Sequence, residues 1–193
     1  MAGAGPPELL ARVRAIRWGG TAKVFAGGKA IDLGIETMVE PFVRARSDSW
    51  IAADGRSAMR TLMIEGDRGF QVVEGKQSAL PAGAAANERQ QFGVYGYMLM
   101  AGARWTPGRN GRLRGEHPGF PPIEISCGRD GRIQTADYLL VSPDAAGKPI
   151  REHFAFAGTM TDKGINWPHR IAIVQDGKPF LALSIDDFSV DLR

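Results

Sequence analysis

Apolar residues in this chain come in short alternating runs, cut at close intervals by Asp-Gly or glycine-rich turns. The turns read Ala26-Gly27-Gly28-Lys29, Ala53-Asp54-Gly55-Arg56, Gly66-Asp67-Arg68-Gly69, Glu74-Gly75-Lys76, Arg129-Asp130-Gly131-Arg132 and Gln175-Asp176-Gly177-Lys178. Asp-Gly between alternating runs signals a hairpin, because turns that match the twist of paired strands need residues that tolerate positive φ. The pattern predicts strands over residues 21–25, 30–37, 42–51, 58–65 and 69–73. After a break it predicts strands over 123–127, 132–141, 151–157, 169–175 and 179–192. Alternation puts Ile31, Leu33 and Ile35 on one face of their strand, and Leu62 and Ile64 on one face of theirs. Pro41 fits a strand start or an edge, since proline donates no ladder hydrogen bond. The turn-rich stretch 141–149 separates two of the late strands.

Two stretches follow a helical period instead. Pro7 leads into Leu9, Leu10, Val13 and Ile16, which predicts a helix at the N-terminus. Residues 89–101 predict a central helix, with Phe92, Tyr95 and Leu99 in one stripe and Val94, Met98 and Ala101 beside it. Gly93 and Gly96 each cost such a helix about 1 kcal/mol, which points to close backbone packing or local motion. Hairpin-linked strands with two helices define an α+β class. The expected architecture is a single curved antiparallel sheet, an unclosed half-barrel. An N-terminal helix accompanies it and the central helix covers its concave face. No repeat or linker divides the chain, so residues 1–193 read as one domain. Helices too few to fill the concave face leave an apolar cavity.

Composition narrows the chemistry. Hydrophobic residues form 44% of the 193, enough for an ordinary globular core. The net charge is +3, and the basic residues are scattered except for Arg104, Arg109, Arg112 and Arg114. That cluster reads as part of a solvated glycine-rich loop, and no series of aromatic residues interleaves it to stack on nucleic acid. The single cysteine, Cys127, has no partner for an internal disulfide and reads as a buried strand thiol. His117, His153 and His169 are far apart, with no metal-ligand spacing, so neither metal nor cofactor is expected. The chain also lacks a Gly-x-Ser-x-Gly elbow and a phosphate-cradling loop. Six internal methionines, Met38, Met59, Met63, Met98, Met100 and Met160, suit either a variable apolar ligand or ordinary core filling. No run approaches the ~20 apolar residues of a membrane-spanning helix. The start, Met1 to Pro7, has no basic or apolar leader region. It fits a cytoplasmic protein if native, or a periplasmic one whose signal peptide has been removed.

Around the Asp130 turn, Ile125-Ser126-Cys127-Gly128-Arg129-Asp130-Gly131-Arg132-Ile133 resembles the late hairpin of the periplasmic lipoprotein carriers, the LolA-like superfamily. The strand-turn-strand run over residues 50–70 is similar to theirs, and so is the order of elements across nearly the whole chain. The resemblance implies a half-barrel whose concave face holds acyl chains under a helical lid. In that family a basic residue directly before a proline on an early strand helps gate the cavity. The matching pair here is Glu40-Pro41, which is acidic, and Arg44 and Arg46 follow as gating candidates.

The reading reached from the sequence is a non-enzymatic cell-envelope protein that binds or carries a lipid or other hydrophobic ligand. Its expected lining is apolar: Ile31, Leu33, Leu62, Ile64, Phe92, Tyr95, Met98 and Leu99, with Arg44 and Arg46 nearby. An envelope protein is a candidate second partner, and nucleic acid is not. Two alternatives stay open. One is a packed interaction module with no ligand. The other is an enzyme of unrecognised class using Arg44 or Arg46 with a buried carboxylate.

Overall fold

A computed structural model describes residues 4–144 and 147–193. The first three residues of the chain start and the centre of the 141–149 turn lie outside the described residues. A short helix, α1 (Pro7–Leu10), precedes six strands: β1 (Val13–Ala26), β2 (Lys29–Glu40), β3 (Arg44–Ile51), β4 (Arg60–Glu65), β5 (Arg68–Val73) and β6 (Lys76–Ala79). The long helix α2 (Ala82–Met98) follows. Then come β7 (Arg104–Pro107), β8 (Leu113–Glu116), β9 (Ile123–Cys127), β10 (Ile133–Leu140) and β11 (Ile150–Ala157). The chain ends with β12 (Met160–Asp162), β13 (Ile165–Trp167), β14 (Arg170–Gln175) and β15 (Lys178–Leu192).

Thirteen strands form one sheet in the order β6-β5-β4-β3-β2-β1-β15-β14-β11-β10-β9-β8-β7, while β12 and β13 form a separate hairpin. Every pairing is antiparallel. The first and last strands, β1 and β15, meet at the centre. The two edges are β6 and β7, and they do not pair, so the half-barrel is unclosed. This order dictates the place of α2. The chain leaves one edge at Ala79 and re-enters at the other edge at Arg104, so the helix must cross the sheet. Its 17 residues span about 26 Å at 1.5 Å per residue.

Register makes the inner face continuous. One row runs Ile64, Ala45, Val39, Ile16 and Val190 across five strands. Another runs Ile125, Ala136, Phe154, Ile173 and Leu181. Most of these side chains are buried, and they form the core with Tyr97, Leu99 and Trp167. Bulges at Gly19/Gly20, Ile133/Thr135 and Ile173/Val174 bend the strands. At the first of these, a Cβ on Gly20 would collide with the Ser184 backbone carbonyl.

Several expectations are corrected. The N-terminal helix is only four residues long, and Val13 and Ile16 belong to β1. A bulge between Val13 and Ala15 buries Val13, Ala15, Ile16 and Trp18 together, which imitates helical spacing. Pairing to β2 and β15 along the strand's length decides the outcome. The central helix begins seven residues before the expected residue 89 and ends at Met98, with Leu99 as its cap. Asp54-Gly55 lies in a 3-10 segment, Ala52–Ala58, rather than a two-residue turn. Pro41 sits in the β2–β3 turn. Cys127 is exposed at the end of β9, not buried. The arginine-rich stretch folds into the β7–β8 hairpin. Arg104 and Arg114 both pair with Glu116, and Arg112 pairs with Asp137. Burial opposes ionisation of Asp137, but hydrogen bonds from His153 and Arg112 hold it below the usual carboxylate range.

Candidate functional site

Helix α2 is fastened to the two halves of the sheet by different chemistry. On the C-terminal side the bonds are polar. Asn87 Nδ2 donates to the Val141 carbonyl at 2.7 Å, and the Val141 N–H donates to Gln90 Oε1 at 2.8 Å. Tyr97 Oη donates to the Pro121 carbonyl and accepts from the His117 N–H, each at 3.0 Å. On the N-terminal side the fastening is aromatic. Phe42, in the β2–β3 turn, holds a φ of 61°, a region that disfavours bulky residues. Its ring stacks on His117 at 3.8 Å and meets Tyr97 and Phe120 edge-on. Gly93 and Gly96 make room for this cluster. A Cβ on Gly93 would come within 2.5 Å of the Phe120 ring, and one on Gly96 within 2.7 Å of the Phe42 ring.

Beneath α2 lies a cavity of about 360 Å³, within the size range of small-molecule sites. Both halves of the sheet line it, with Leu33, Ile35 and Leu62 on one side and Ile173, Leu181 and Leu183 on the other. Phe92 and Tyr95 form the roof, and Trp18 contributes a wall. The lining is not wholly apolar as expected. Thr37 and Ser47 face it as a hydroxyl pair 2.9 Å apart, and Arg60, Glu88 and Gln91 line its polar side. Arg60 occupies an inner position that alternation from Leu62 sets.

Burial shapes the electrostatics. Glu152 of β11 is fully buried and faces α2. Its Oε1 accepts from Gln175 Nε2 at 2.7 Å and from Gln91 Nε2 at 3.3 Å, while Oε2 has no partner among the described residues. Burial pushes its pKa up to about 7, against the Gln175 hydrogen bond and with help from the Glu88 charge. Burial likewise raises Glu88, with the Arg60 charge opposing. The Tyr95 hydroxyl is pushed above its usual range by burial and then by Glu152 and Glu88.

A second cavity of about 300 Å³ sits at the other end of α2, under the β12–β13 hairpin, lined by Met98, Phe156 and Trp167 with a rim that includes Arg132 and Asn166. An aromatic cluster stands between the two. Trp18 lies 4.8 Å from Tyr95, and Trp167 lies 5.9 Å from Tyr95 and 5.6 Å from Phe188.

The structure therefore divides the residues expected from the sequence. Leu33, Leu62, Phe92 and Tyr95 meet around the cavity beneath α2. Ile64 shares the Leu62 face but is buried beyond the cavity, in a small slot with Phe42 and Phe92. Ile31 shares the Leu33 face but lies past the helix and is exposed. Met98 borders the second cavity, and Leu99 is fully buried in the core. Arg44 and Arg46 project from the convex face, because Ala45, Ser47 and Ser49 take the inner positions of β3. Arg44 donates to Glu40 at 2.6 Å and Arg46 to Asp48 at 3.1 Å. The sequence reading missed Arg60, Glu88, Gln91 and Glu152. The signal available for Glu88 and Gln91 was their helical spacing to Phe92 and Tyr95.

An open antiparallel half-barrel roofed by one helix is a recognisable class, and solved structures share it. An outer membrane lipoprotein-sorting protein domain from Vibrio parahaemolyticus aligns over 92% of this chain and 85% of its own, at a TM-score of 0.60 and 8% identity. A LolA superfamily protein from Nitrosomonas europaea aligns over 93% and 87%, at 0.60 and 10%. A DUF1329 family protein from Desulfovibrio piger aligns over 95% and 88%, at 0.60 and 11%. No protein-family model matches the chain, and no curated protein matches it in sequence. The likeness is one of fold, and the chain has a LolA-like fold.

Proposed function

We propose that this protein is a non-enzymatic carrier of the cell envelope that holds a lipid or another hydrophobic ligand beneath α2. The observation that carries the reading is the cavity itself, about 360 Å³ between the helix and the concave face, with both halves of the sheet in its wall. Each methylene moved from water into such a space contributes about 0.8 kcal/mol, so an alkyl chain binds without specific polar contacts. The LolA-like fold supports the same reading, because two structural neighbours are described as a lipoprotein-sorting domain and a LolA superfamily protein. A periplasmic location follows from this analogy. Among the described residues no helix is long and apolar enough to cross a membrane.

Native mass spectrometry of gently purified protein, followed by solvent extraction, tests the proposal. The expected result is a bound amphiphile that leaves on extraction. A chain that carries no lipid, and takes up none when incubated with vesicles, would contradict it.

A further inference from the structure

The geometry points to an amphiphile whose polar end carries an amine or another hydrogen-bond-donating cation, received by Glu88 beneath α2, with the buried Glu152 carboxylate behind Gln91 adding its charge. This deepens the reading of the cavity as a ligand site and rests on it.

The polar groups of the cavity are gathered rather than dispersed. Glu88 and Gln91 project from one side of α2, beside Arg60 of β4, while the rest of the roof is Phe92 and Tyr95. Glu88 is half-buried and has neither an ion pair nor a hydrogen bond to any described residue. Directly behind Gln91 is Glu152, fully buried, with one carboxylate oxygen satisfied and the other orphaned. Its cross-strand neighbour Tyr138 is also buried with an unpartnered hydroxyl. The cation in the cavity wall, Arg60, donates from Nη2 to Gln71 Oε1 at 2.6 Å, and its charge acts on Glu88 without pairing with it. Two carboxylates thus stand near one guanidinium, whose charge reaches Glu88 but not Glu152. Buried charge without a partner is costly, and polar groups left unsatisfied in a ligand site call for a complementary group on the ligand. An ammonium supplies both the charge and the donors. A carboxylate or phosphate at the same place meets like charge from Glu88, and from Glu152 as pH rises through about 7. The tail then lies along Leu33, Leu62 and Leu183.

The groups that face Glu152 are Glu88, Gln91 and Tyr95 from α2, Tyr138 from β10 and Gln175 from β14, with Arg60 beyond Glu88. Of these, Glu152 changes charge near neutrality, so the preference for a cation should grow as pH rises through about 7.

The test is displacement of the apolar dye N-phenyl-1-naphthylamine from the full chain by three amphiphiles with the same tail: dodecylamine, dodecanol and dodecanoate. The expected result is that dodecylamine displaces the dye about tenfold more effectively than dodecanoate, a difference of about 1.4 kcal/mol. Glu88→Gln and Glu152→Gln should each narrow that gap. Dodecanoate acting as well as dodecylamine overturns the inference and leaves the cavity reading standing. So does a gap that both variants leave unchanged. A dye that does not bind the wild-type chain overturns both.

Discussion

Glu152 is the residue whose placement has the most consequences. Its folded-state pKa of about 7 lies above the ordinary 4.5, so the folded chain keeps a proton that the unfolded chain has released. Through this group the folded state binds more protons between those values, so its contribution to stability falls as pH rises from about 4.5 through 7 and then levels off. The size of this loss is of order 3 kcal/mol. Glu152→Gln should remove most of the slope and make the protein more stable than wild type above pH 7, measured by urea denaturation across that range. A slope unchanged in the variant would locate it in another group. Leu99 illustrates the opposite case. From the sequence it belongs to the ligand-facing stripe, but the structure buries it completely just past the last turn of α2. Leu99→Arg should therefore unfold the protein rather than merely block a ligand, because a guanidinium there has no partner. Loss of cooperative thermal unfolding would show this.

At the scale of elements, α2 was legible because its apolar residues repeat over about two turns, from Phe92 to Leu99, yet its start was not. The stretch from Ala82 to Glu88 has no apolar stripe, and its N-cap, Pro81, offers no side-chain bond. Asn87 and Gln90 anchor the helix to Val141, a contact between residues far apart in sequence. The two glycines gave the better clue. Gly93 and Gly96 weaken the helix by about 1 kcal/mol each, and the structure shows the compensation in the Phe120 and Phe42 rings against its backbone. Gly96→Ala should then destabilise the protein by about 1–3 kcal/mol through overpacking, despite alanine's higher helix propensity. A gain in urea midpoint would mean that the Phe42 ring gives way. The opening helix failed for a different reason. Leu9, Leu10, Val13 and Ile16 satisfy helical spacing, but β1 is held on both sides by β2 and β15, and no local pattern reveals such partners. The hairpins β7–β8 and β12–β13 were hidden by their short strands of three or four residues.

For the whole molecule, the Asp-Gly punctuation carried the antiparallel sheet, and the hairpins at Glu74-Gly75 and Asp176-Gly177 have the positive φ values it implies. The alternation of Leu33 and Leu62 was enough to assign their face. What local pattern could not reveal was the closure of β15 onto β1, which makes the chain ends central and the middle strands peripheral. That topology sends α2 across the concave face and brings Trp18, Glu88 and Glu152 toward one region from three distant parts of the chain. Saturable binding beneath α2 is the central claim, and it is tested most directly by titrating the apolar dye into wild type and into Leu33→Trp, a substitution that fills the cavity from its wall. The account predicts saturable binding to the wild type, competed by an alkyl amphiphile, and at least about tenfold weaker binding to a folded Leu33→Trp protein. Equal binding by the two proteins, or none by either, would contradict it.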